Sequence, residues 1–355
     1  MQPGIMAWLG SKSPALSLAL LGILIGTSSA DSGTPAKWQR LDFSGPVMAT
    51  TFRIHLYTTD PEKAQTAVDA AFERAATLNG IFSDYEPGSE LMQLCTSGKS
   101  PFLASAELFS LVQRSQEISA ITDGAFDIAC GHLTRLWRRT RNLKRLPPPD
   151  RLAAAIELTD WRSIQLDPAT RGITLNRPKM LLDLGGIAKG RAADEMLAVL
   201  KKHGFPIASV QAGGDTVCGD PPPGEEGWQI ALRTFSAPEE NPADLPTIRL
   251  ANAAVSTSGD LYQTVIVGGV SYSHIVSPKT GLGLTQRIAC SVVAPDATTS
   301  DALATACCIL GADAGRPIIE SLRGVSAHWV GIEEKNPAQP WTATSTGFPD
   351  LRSAK

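Results

Sequence analysis

The sequence lacks the residue patterns that mark several common kinds of site. Its six cysteines include no CxxC pair and no cysteine–histidine cluster with zinc spacing, which argues against a structural zinc site. No GxxxxGK[ST] segment is present, so the chain has no Walker A loop. The formal net charge of −3 gives no electrostatic footprint for nucleic acid, and we expect no nucleic-acid partner.

Long apolar runs are also scarce, and the one that could matter lies near the N-terminus. Lys12 precedes the apolar residues 15–25, and small residues ending at Ala30 follow them. This order is typical of a secretory signal, so we predict a signal peptide over residues 1–30 and an exported, periplasmic or cell-envelope protein. An uncleaved signal that anchors the protein in a membrane is the alternative.

The pattern of the remaining chain predicts a mixed α/β fold. Apolar residues alternate between Phe52 and Leu56 as in a strand, and helical spacing covers residues 61–80 and 105–120. Because hydrophobic residues make up 43% of the chain and charged residues 19%, these elements can bury a core. Strands and helices interleave without a strict βαβ period, so we expect partly antiparallel sheets with interleaved helices.

Composition shifts divide the mature chain into one large unit with two flanking segments. We predict a linker at residues 31–38, one domain at 39–335 and a loosely ordered, Pro/Ser/Thr-rich tail at 336–355. The basic, proline-rich residues 135–150 are predicted to form a solvated loop or a partner-binding patch.

The most informative stretch is residues 181–190, LLDLGGIAKG. Residues 180–184 are apolar around one carboxylate and indicate a buried strand, Gly185 and Gly186 break it, and helical spacing follows over residues 191–203. A glycine-rich turn, a helix N-terminus and Lys189 together suit a bound phosphate. An ordinary strand-to-helix turn with a surface lysine fits the same pattern.

Three further positions are candidates for chemistry. Asp301 and Thr305 lie four residues apart in a predicted helix over 300–311, so they share one face and offer hard oxygen atoms suited to Mg²⁺. The same pair also occurs by coincidence on helix surfaces. His274 stands beside a turn, where proton transfer, a phosphate contact or a structural role are all open.

Several short segments together resemble the ApbE-type FAD:protein FMN transferases, enzymes that move FMN from FAD onto a threonine of an exported target protein. The segments that carry the match are residues 48–50 (MAT), 83–90, 122–127 (TDGAFD), 183–190 (DLGGIAKG), 273–281 and 300–306 (SDALATA). The resemblance implies an ApbE or T-fold-like single catalytic unit. It also implies FAD as the substrate, Mg²⁺ as the metal, and a threonine-containing acceptor such as a redox-complex subunit as the partner.

The resemblance also implies roles for individual residues. Positions matching the FAD site are Met48, Tyr85, Ala125, Phe126, Asp127, Asp183, Lys189, His274 and Ile275. Positions matching the Mg²⁺ ligands are Gly186 through its carbonyl, Asp301 and Thr305. The residues expected to act in catalysis are Lys189, Asp301 and His274, with His274 or a carboxylate near the metal taking the proton of the attacking hydroxyl.

Two positions depart from the family pattern. Ala49 stands where the family usually has glycine. In the other segment, Ser277 replaces an acidic residue, and Lys279, two residues later, replaces an arginine. The lost carboxylate keeps two alternatives open: an FAD pyrophosphatase that releases FMN and AMP, and a flavin-binding protein without turnover. Contact with a membrane is expected only if the signal peptide is uncleaved.

Overall fold

The computed structural model describes residues 37–352, except 97, 99, 234, 236–244, 260–263 and 334–335, and only the backbone of 336–339. The predicted signal peptide at residues 1–30 lies outside the described residues. The described helices are α1 Pro61–Phe82, α2 Glu90–Thr96, α3 Ala106–Ile121, α4 Gly131–Leu143, α5 Pro149–Glu157, α6 Ala188–Lys202 and α7 Ala297–Glu320. Short 3₁₀ helices cover Ile128–Cys130 and Trp161–Ser163.

The described strands follow in chain order. They are β1 Gln39–Val47, β2 Thr50–Thr58, β3 Phe102–Leu103, β4 Ile164–Asp167, β5 Gly172–Leu175, β6 Ala208–Ala212, β7 Asp215–Cys218, β8 Trp228–Ala231, β9 Thr247–Leu250, β10 Ala253–Gly259, β11 Thr264–Val267, β12 Val270–Ser273, β13 Arg287–Ala294, β14 Ser326–Glu333 and β15 Asn336–Thr344.

An eight-stranded antiparallel sheet in the order β1-β2-β6-β7-β10-β13-β14-β15 is the framework of the fold. Helices α1, α6 and α7 pack against this sheet. Helix α6 lies between the other two and contacts both. Smaller antiparallel sheets are formed by β3-β5-β4, by β8 and β9, and by β11 and β12. The predicted mixed α/β fold with antiparallel sheets and interleaved helices is confirmed.

The alternation of apolar residues that predicted strand β2 also explains which of its side chains are buried. Phe52, Ile54 and Leu56 of β2 are fully buried beneath the helices, whereas Arg53 between them is exposed. On α1 the buried residues recur with helical spacing and face the same core. Helix α7 is long and apolar enough to span a membrane by length and composition, but it packs on β10, β13 and α6, with 44% of its most apolar window buried.

The predicted tail is wrong for its first part. Residues Asn336–Thr344 form strand β15, which pairs with β14 at the edge of the large sheet, for example Trp341 opposite Gly331. The Trp341 ring lies where a side chain at Gly331 would be, so the glycine admits the aromatic ring. Proline-rich composition suggested a loose segment, but an edge strand tolerates proline because one side of it forms no ladder.

The predicted loop at residues 135–150 is also wrong for most of its length. Helix α4 continues to Leu143, and α5 begins at Pro149. The buried side chains of Leu133 and Trp137 are four residues apart on one face of α4. Arg135, Arg139 and Arg141 lie on its outer part, whereas Arg138 is half-buried.

Helix α7 differs from its prediction at both ends. It begins at Ala297 rather than Ser300, because Asp296 caps it by accepting a 2.7 Å hydrogen bond from Thr299 N. The predicted end at residue 311 is also too early: the element continues to Glu320 and is interrupted at Gly311, whose φ of 74° is not helical. A glycine is required there because other residues rarely adopt this conformation.

Residues 180–184 are buried as predicted but do not form a strand. Leu181 O accepts from Gly131 N at 3.0 Å, and Asp183 N donates to Ile128 O at 2.8 Å. The backbone partners therefore come from the 3₁₀ helix and the start of α4, and among the described residues no strand pairs with this segment. Helix α6 begins at Ala188, so Lys189 lies in its first turn rather than before it.

The hairpin of β1 and β2 turns through Met48 and Ala49, and we predict that Ala49→Gly stabilises the protein. Both residues have positive φ, 47° and 57°, as a two-residue hairpin turn requires. The left-handed conformation costs alanine roughly 1–2 kcal/mol, which glycine would avoid. The greater conformational freedom of glycine in the unfolded chain offsets about 0.5–1 kcal/mol of this stabilisation.

Denaturant unfolding should therefore show Ala49→Gly to be more stable by about 0.5–1 kcal/mol. The control Ala153→Gly, on the exposed face of α5, should be less stable by about 1 kcal/mol. Equal destabilisation by both substitutions would contradict strain at Ala49.

Asp194 of α6 holds the N-terminus of α7, and we predict a large loss of stability in Asp194→Ala. Its carboxylate accepts from Ala297 N at 2.8 Å and from Thr298 N and Oγ1 at 2.8 and 2.6 Å. Removing it leaves these donors unsatisfied, at a cost of about 2–4 kcal/mol in the free energy of unfolding. The exposed Asp313→Ala on α7 should change stability by less than about 0.5 kcal/mol; similar losses for both would exclude this role.

Candidate functional site

A buried ion-pair cluster forms where α6, β7 and α7 meet. Lys189 Nζ lies 2.9 Å from Asp215 Oδ2 and 3.1 Å from Asp301 Oδ2. The backbone N–H of Gly190 also donates to Asp301 Oδ2, at 3.1 Å. The two carboxylates are only 4% and 3% exposed, whereas 30% of the Lys189 side chain remains accessible. The Lys189 side chain therefore runs from an accessible part of α6 to the buried carboxylates.

Burial and charge shift the protonation of this cluster. Burial, and next the neighbouring Asp215 carboxylate, raise the pKa of Asp301 to about 7, although Lys189 acts in the opposite direction. Burial alone would lower the pKa of Lys189, but the charges of Asp215 and Asp301 hold it above its ordinary value. Lys189 is therefore a permanent cation, and Asp301 can exchange a proton for another cation near neutral pH.

The glycine turn approaches α7 closely at Gly186. A side chain at Gly186 would lie 3.3 Å from the Phe126 ring and 3.4 Å from Thr305 Oγ1. The hydroxyl of Thr305 is also 3.3 Å from Ser258 Oγ on β10. The structure thus brings together Gly186, Thr305, Asp301 and Lys189, which is the grouping that the sequence predicts for a phosphate and metal site.

A second cluster forms around Arg138 on α4. Its guanidinium donates to Asp84 Oδ2 and, at 2.9 Å, to Asp183 Oδ2. Its Cζ lies 4.1 Å from the centre of the Tyr85 ring, which is 69% exposed. Burial, and then the charge of Asp183, raise the pKa of Asp84 despite Arg138. Because Asp183 Oδ1 also accepts from Gly185 N at 2.7 Å, Arg138 is tied to the glycine turn.

Asp127 caps the 3₁₀ helix Ile128–Cys130 that follows it. Its two carboxylate oxygens accept from Ala129 N at 2.7 Å and from Trp161 N at 3.0 Å. Burial raises its pKa to about 6. Ala125 and Phe126 are nearly fully buried beside it, and Phe126 faces Gly186. The carboxylate of Asp127 therefore fixes the backbone that carries Phe126, and its predicted contact with FAD stays a prediction.

Met48 lies in the turn between β1 and β2, beside a cavity of about 470 Å³ whose lining includes Asn79 of α1. The neighbouring Thr50 lies close to Gly213, where a side chain would be 3.4 Å from Thr50 Oγ1. Gly213 and Gly214 form the turn that leads to Asp215. The Met48 turn is therefore linked to the Lys189 cluster through the next hairpin of the same sheet.

His274 and Ile275 follow β12. His274 is exposed, and Ile275 is buried in the main hydrophobic core together with Ala125 and Phe126. Ile275 N donates to Ser273 Oγ at 3.1 Å, and Ser273 O accepts from Trp137 Nε1 at 2.9 Å. The segment is thus anchored to α4, the helix that also carries Arg138.

The sequence reasoning did not identify three charged residues of the site. Asp215, Arg138 and Asp84 all contact predicted site residues. Asp215 directly follows a Gly-Gly turn, and this position could have marked it as a site residue. Arg138 is one of several cations in its segment, so nothing in the sequence distinguishes it.

Within the described part of the chain, no group of three or more His, Cys, Asp or Glu side chains is placed to hold a metal. A metal bound here would therefore need backbone or hydroxyl oxygens in addition to a carboxylate.

Comparison with solved structures supports the fold. The crystal structure of the ApbE protein from Thermotoga maritima matches with a TM-score of 0.75 and 27% identity, over 87% of this chain and 97% of that one. The flavin transferase ApbE from Vibrio cholerae matches with a TM-score of 0.74 over 88% of this chain and 99% of that one. At 24% identity, the second likeness concerns the fold alone.

Sequence comparison extends over most of the chain. A protein of Treponema pallidum named FAD:protein FMN transferase is 29% identical over 330 residues, 88% of this chain and 89% of the relative. A Vibrio cholerae protein of the same name is 27% identical over 293 residues, 80% of this chain and 85% of the relative. The model of the ApbE family matches residues 48–329, which include every predicted site residue. The chain belongs to the ApbE family.

Proposed function

We propose that this protein transfers FMN from FAD to the hydroxyl of a threonine in an acceptor protein, with release of AMP. The observation that carries this proposal is the cluster in which Lys189, Asp301, Thr305 and Gly186 come together beside a helix N-terminus. Relatives that cover most of the chain are named FAD:protein FMN transferase, which supports the transfer of FMN from FAD to a protein.

The first turn of α6 offers a preorganised contact for the pyrophosphate of FAD, although Asp215 and Asp301 outnumber the single charge of Lys189, so a bound cation is also needed. The N-terminus of α6 carries partial positive charge, and Lys189 in its first turn adds a full one. Asp215 and Asp301 hold the ammonium group in place, so it need not be ordered when the substrate binds. Such preorganised charge stabilises the negative charge that develops on the transferred phosphoryl group.

The residues present fit a Mg²⁺ ion. Thr305 Oγ1 lies beside Gly186, and Asp301 is one helical turn away on the same face of α7. Asp301 Oδ1 is 3.3 Å from Lys189 Nζ, at the long end of hydrogen-bonding distance, so its lone pairs are open to a cation. We infer that the Gly186 carbonyl, Asp301 and Thr305 would hold Mg²⁺, which when bound would neutralise phosphate charge.

The transfer step needs an attacking hydroxyl and a proton acceptor. The threonine oxygen forms a bond to the FMN-side phosphorus, and the bond from that phosphorus to the bridging oxygen breaks, so AMP leaves with the electron pair. The hydroxyl proton passes to a base, for which we propose His274. Its exposure places it where a protein substrate can approach.

We also propose that the protein works outside the cytoplasm, on an exported acceptor. The support is the secretory pattern of residues 1–30. The test compares the mass of the protein purified from the cell envelope with the mass of the full chain. A mass lower by residues 1–30 would show that this segment is removed.

The experiment that tests the reaction is incubation with FAD, Mg²⁺ and a flavin-free redox-complex subunit containing an acceptor threonine, followed by mass spectrometry of the subunit. A mass gain of one FMN group that disappears with EDTA is the expected result. Free FMN and AMP with an unmodified subunit would instead indicate the pyrophosphatase. Unchanged FAD would indicate a flavin-binding protein without turnover.

We predict that Asp301→Asn lowers the rate of FMN transfer by roughly 100-fold or more, because it removes the only charged ligand proposed for Mg²⁺. Asp313→Asn, an exposed change on the same helix, is the matched control and should keep the wild-type rate. Thermal unfolding of both variants checks that each is folded. A folded Asp301→Asn protein with the wild-type rate would refute the assignment of this residue.

A further inference from the structure

The C-terminal end of α4 carries an unusual concentration of positive charge. Arg139, Arg141, Lys144 and Arg145 are all exposed, and we call these four residues the basic end of α4. In the described part of the chain, the only cation of this helix that is paired with carboxylates is Arg138. The four charges therefore remain available to a partner.

The elements packed around this helix only partly neutralise it: α5 adds Asp150 and Glu157 beside Arg151, and the β11–β12 hairpin adds no acidic residue. Residues 128–149, which include α4, contain no Asp or Glu, and neither do residues 264–284, which include the β11–β12 hairpin. The second segment adds Lys279. Since the whole chain has 35 acidic residues in 355, about four would be expected in 43 residues of average composition. A protein of net charge −3 thus presents a locally positive surface here.

This surface is rigidly connected to the candidate site. Trp137 of α4 packs edge-on against Tyr272 of β12, with ring centres 5.5 Å apart, and its indole N–H donates to Ser273 O. His274 follows Ser273 directly. Arg138, which precedes the basic end, contacts Asp183. Six residues of helix span about 9 Å, so one bound protein can touch both the basic end and the site.

Apolar side chains accompany the cations. Tyr85, Leu143 and Val270 are three of the large hydrophobic side chains that are exposed in the described structure, at 69%, 60% and 43%. Tyr85 stacks on Arg138, Leu143 ends α4, and Val270 is on the same side of its hairpin as Tyr272, which contacts α4. Exposed apolar groups beside unpaired charges are typical of a protein-binding surface.

We propose that the basic end of α4 is the docking surface for the acceptor protein, which presents acidic residues to it near the acceptor threonine. This inference rests on the proposed function, because it names the partner of the same site. Charge complementarity selects the partner, since four unpaired cations attract a protein surface rich in Asp and Glu and raise its rate of association.

The test compares two variants that each lose four positive charges. The first is Arg139→Gln, Arg141→Gln, Lys144→Gln and Arg145→Gln together. The control is Lys201→Gln, Lys202→Gln, Arg316→Gln and Arg323→Gln, at the C-terminal ends of α6 and α7. The N-terminal turns of α6 and α7 form the candidate site. Lys201 and Lys202 lie about 18–20 Å along α6 from Lys189, and Arg316 and Arg323 lie beyond the interruption of α7 at Gly311. Gln has a helix propensity close to those of Arg and Lys, so both variants should fold.

Each protein is assayed for FMN transfer to the flavin-free redox-complex subunit, and for FAD binding by fluorescence titration. We expect the first variant to raise KM for the subunit by about tenfold and to remove most of the salt dependence of kcat/KM. Its kcat and its Kd for FAD should stay at wild-type values. The control variant should match wild type in all four quantities.

Transfer by the wild type together with an unchanged KM in the first variant would overturn the docking surface while leaving the proposed function intact. Absence of transfer by the wild type, with FAD still bound, would count against the proposed function itself. If the first variant instead loses binding to vesicles containing phosphatidylglycerol while its KM for the subunit is unchanged, the surface binds anionic lipid, and the proposal for a protein partner is wrong.

Discussion

The site depends on the placement of one cation, Lys189, between two buried carboxylates. A buried carboxylate without a partner is costly, and two of them facing each other are worse, so Asp215 and Asp301 require the ammonium group. In return they fix its position to within hydrogen-bonding distance of β7 and α7. The same contacts join α6, β7 and α7, so the residues that would bind a phosphate also hold the fold together at that point.

The glycine turn connects this cluster to the rest of the site. Asp183 at its start is bound by Arg138, and Gly186 in its middle lies against Thr305. Through Arg138 and Trp137, α4 reaches both the turn and the segment that carries His274. A change in the position of α4 would therefore move both sides of the site. Under the proposed docking, a partner protein bound on the outer part of α4 would be held in a fixed position relative to the glycine turn and the His274 segment.

The sequence predicted those features that depend on neighbouring residues. Alternation located β2, helical spacing located α1, and the i,i+4 spacing of Asp301 and Thr305 correctly placed them on one face of a helix. Features set by distant residues were missed. Three such features depend on elements far away in the chain. They are the pairing of β15 with β14, the lack of a strand partner for residues 180–184, and the contact of Asp215 with Lys189.

The most direct measurement of the central interaction is a double-mutant cycle in the free energy of unfolding for Lys189→Met and Asp215→Asn. We expect Lys189→Met alone to cost roughly 3–5 kcal/mol, because it leaves two buried carboxylates without their cation. Adding Asp215→Asn should recover part of this loss, giving a coupling free energy of about 2 kcal/mol. Additive effects, within about 0.5 kcal/mol, would show that the two residues do not depend on each other and would contradict the cluster as the basis of the site.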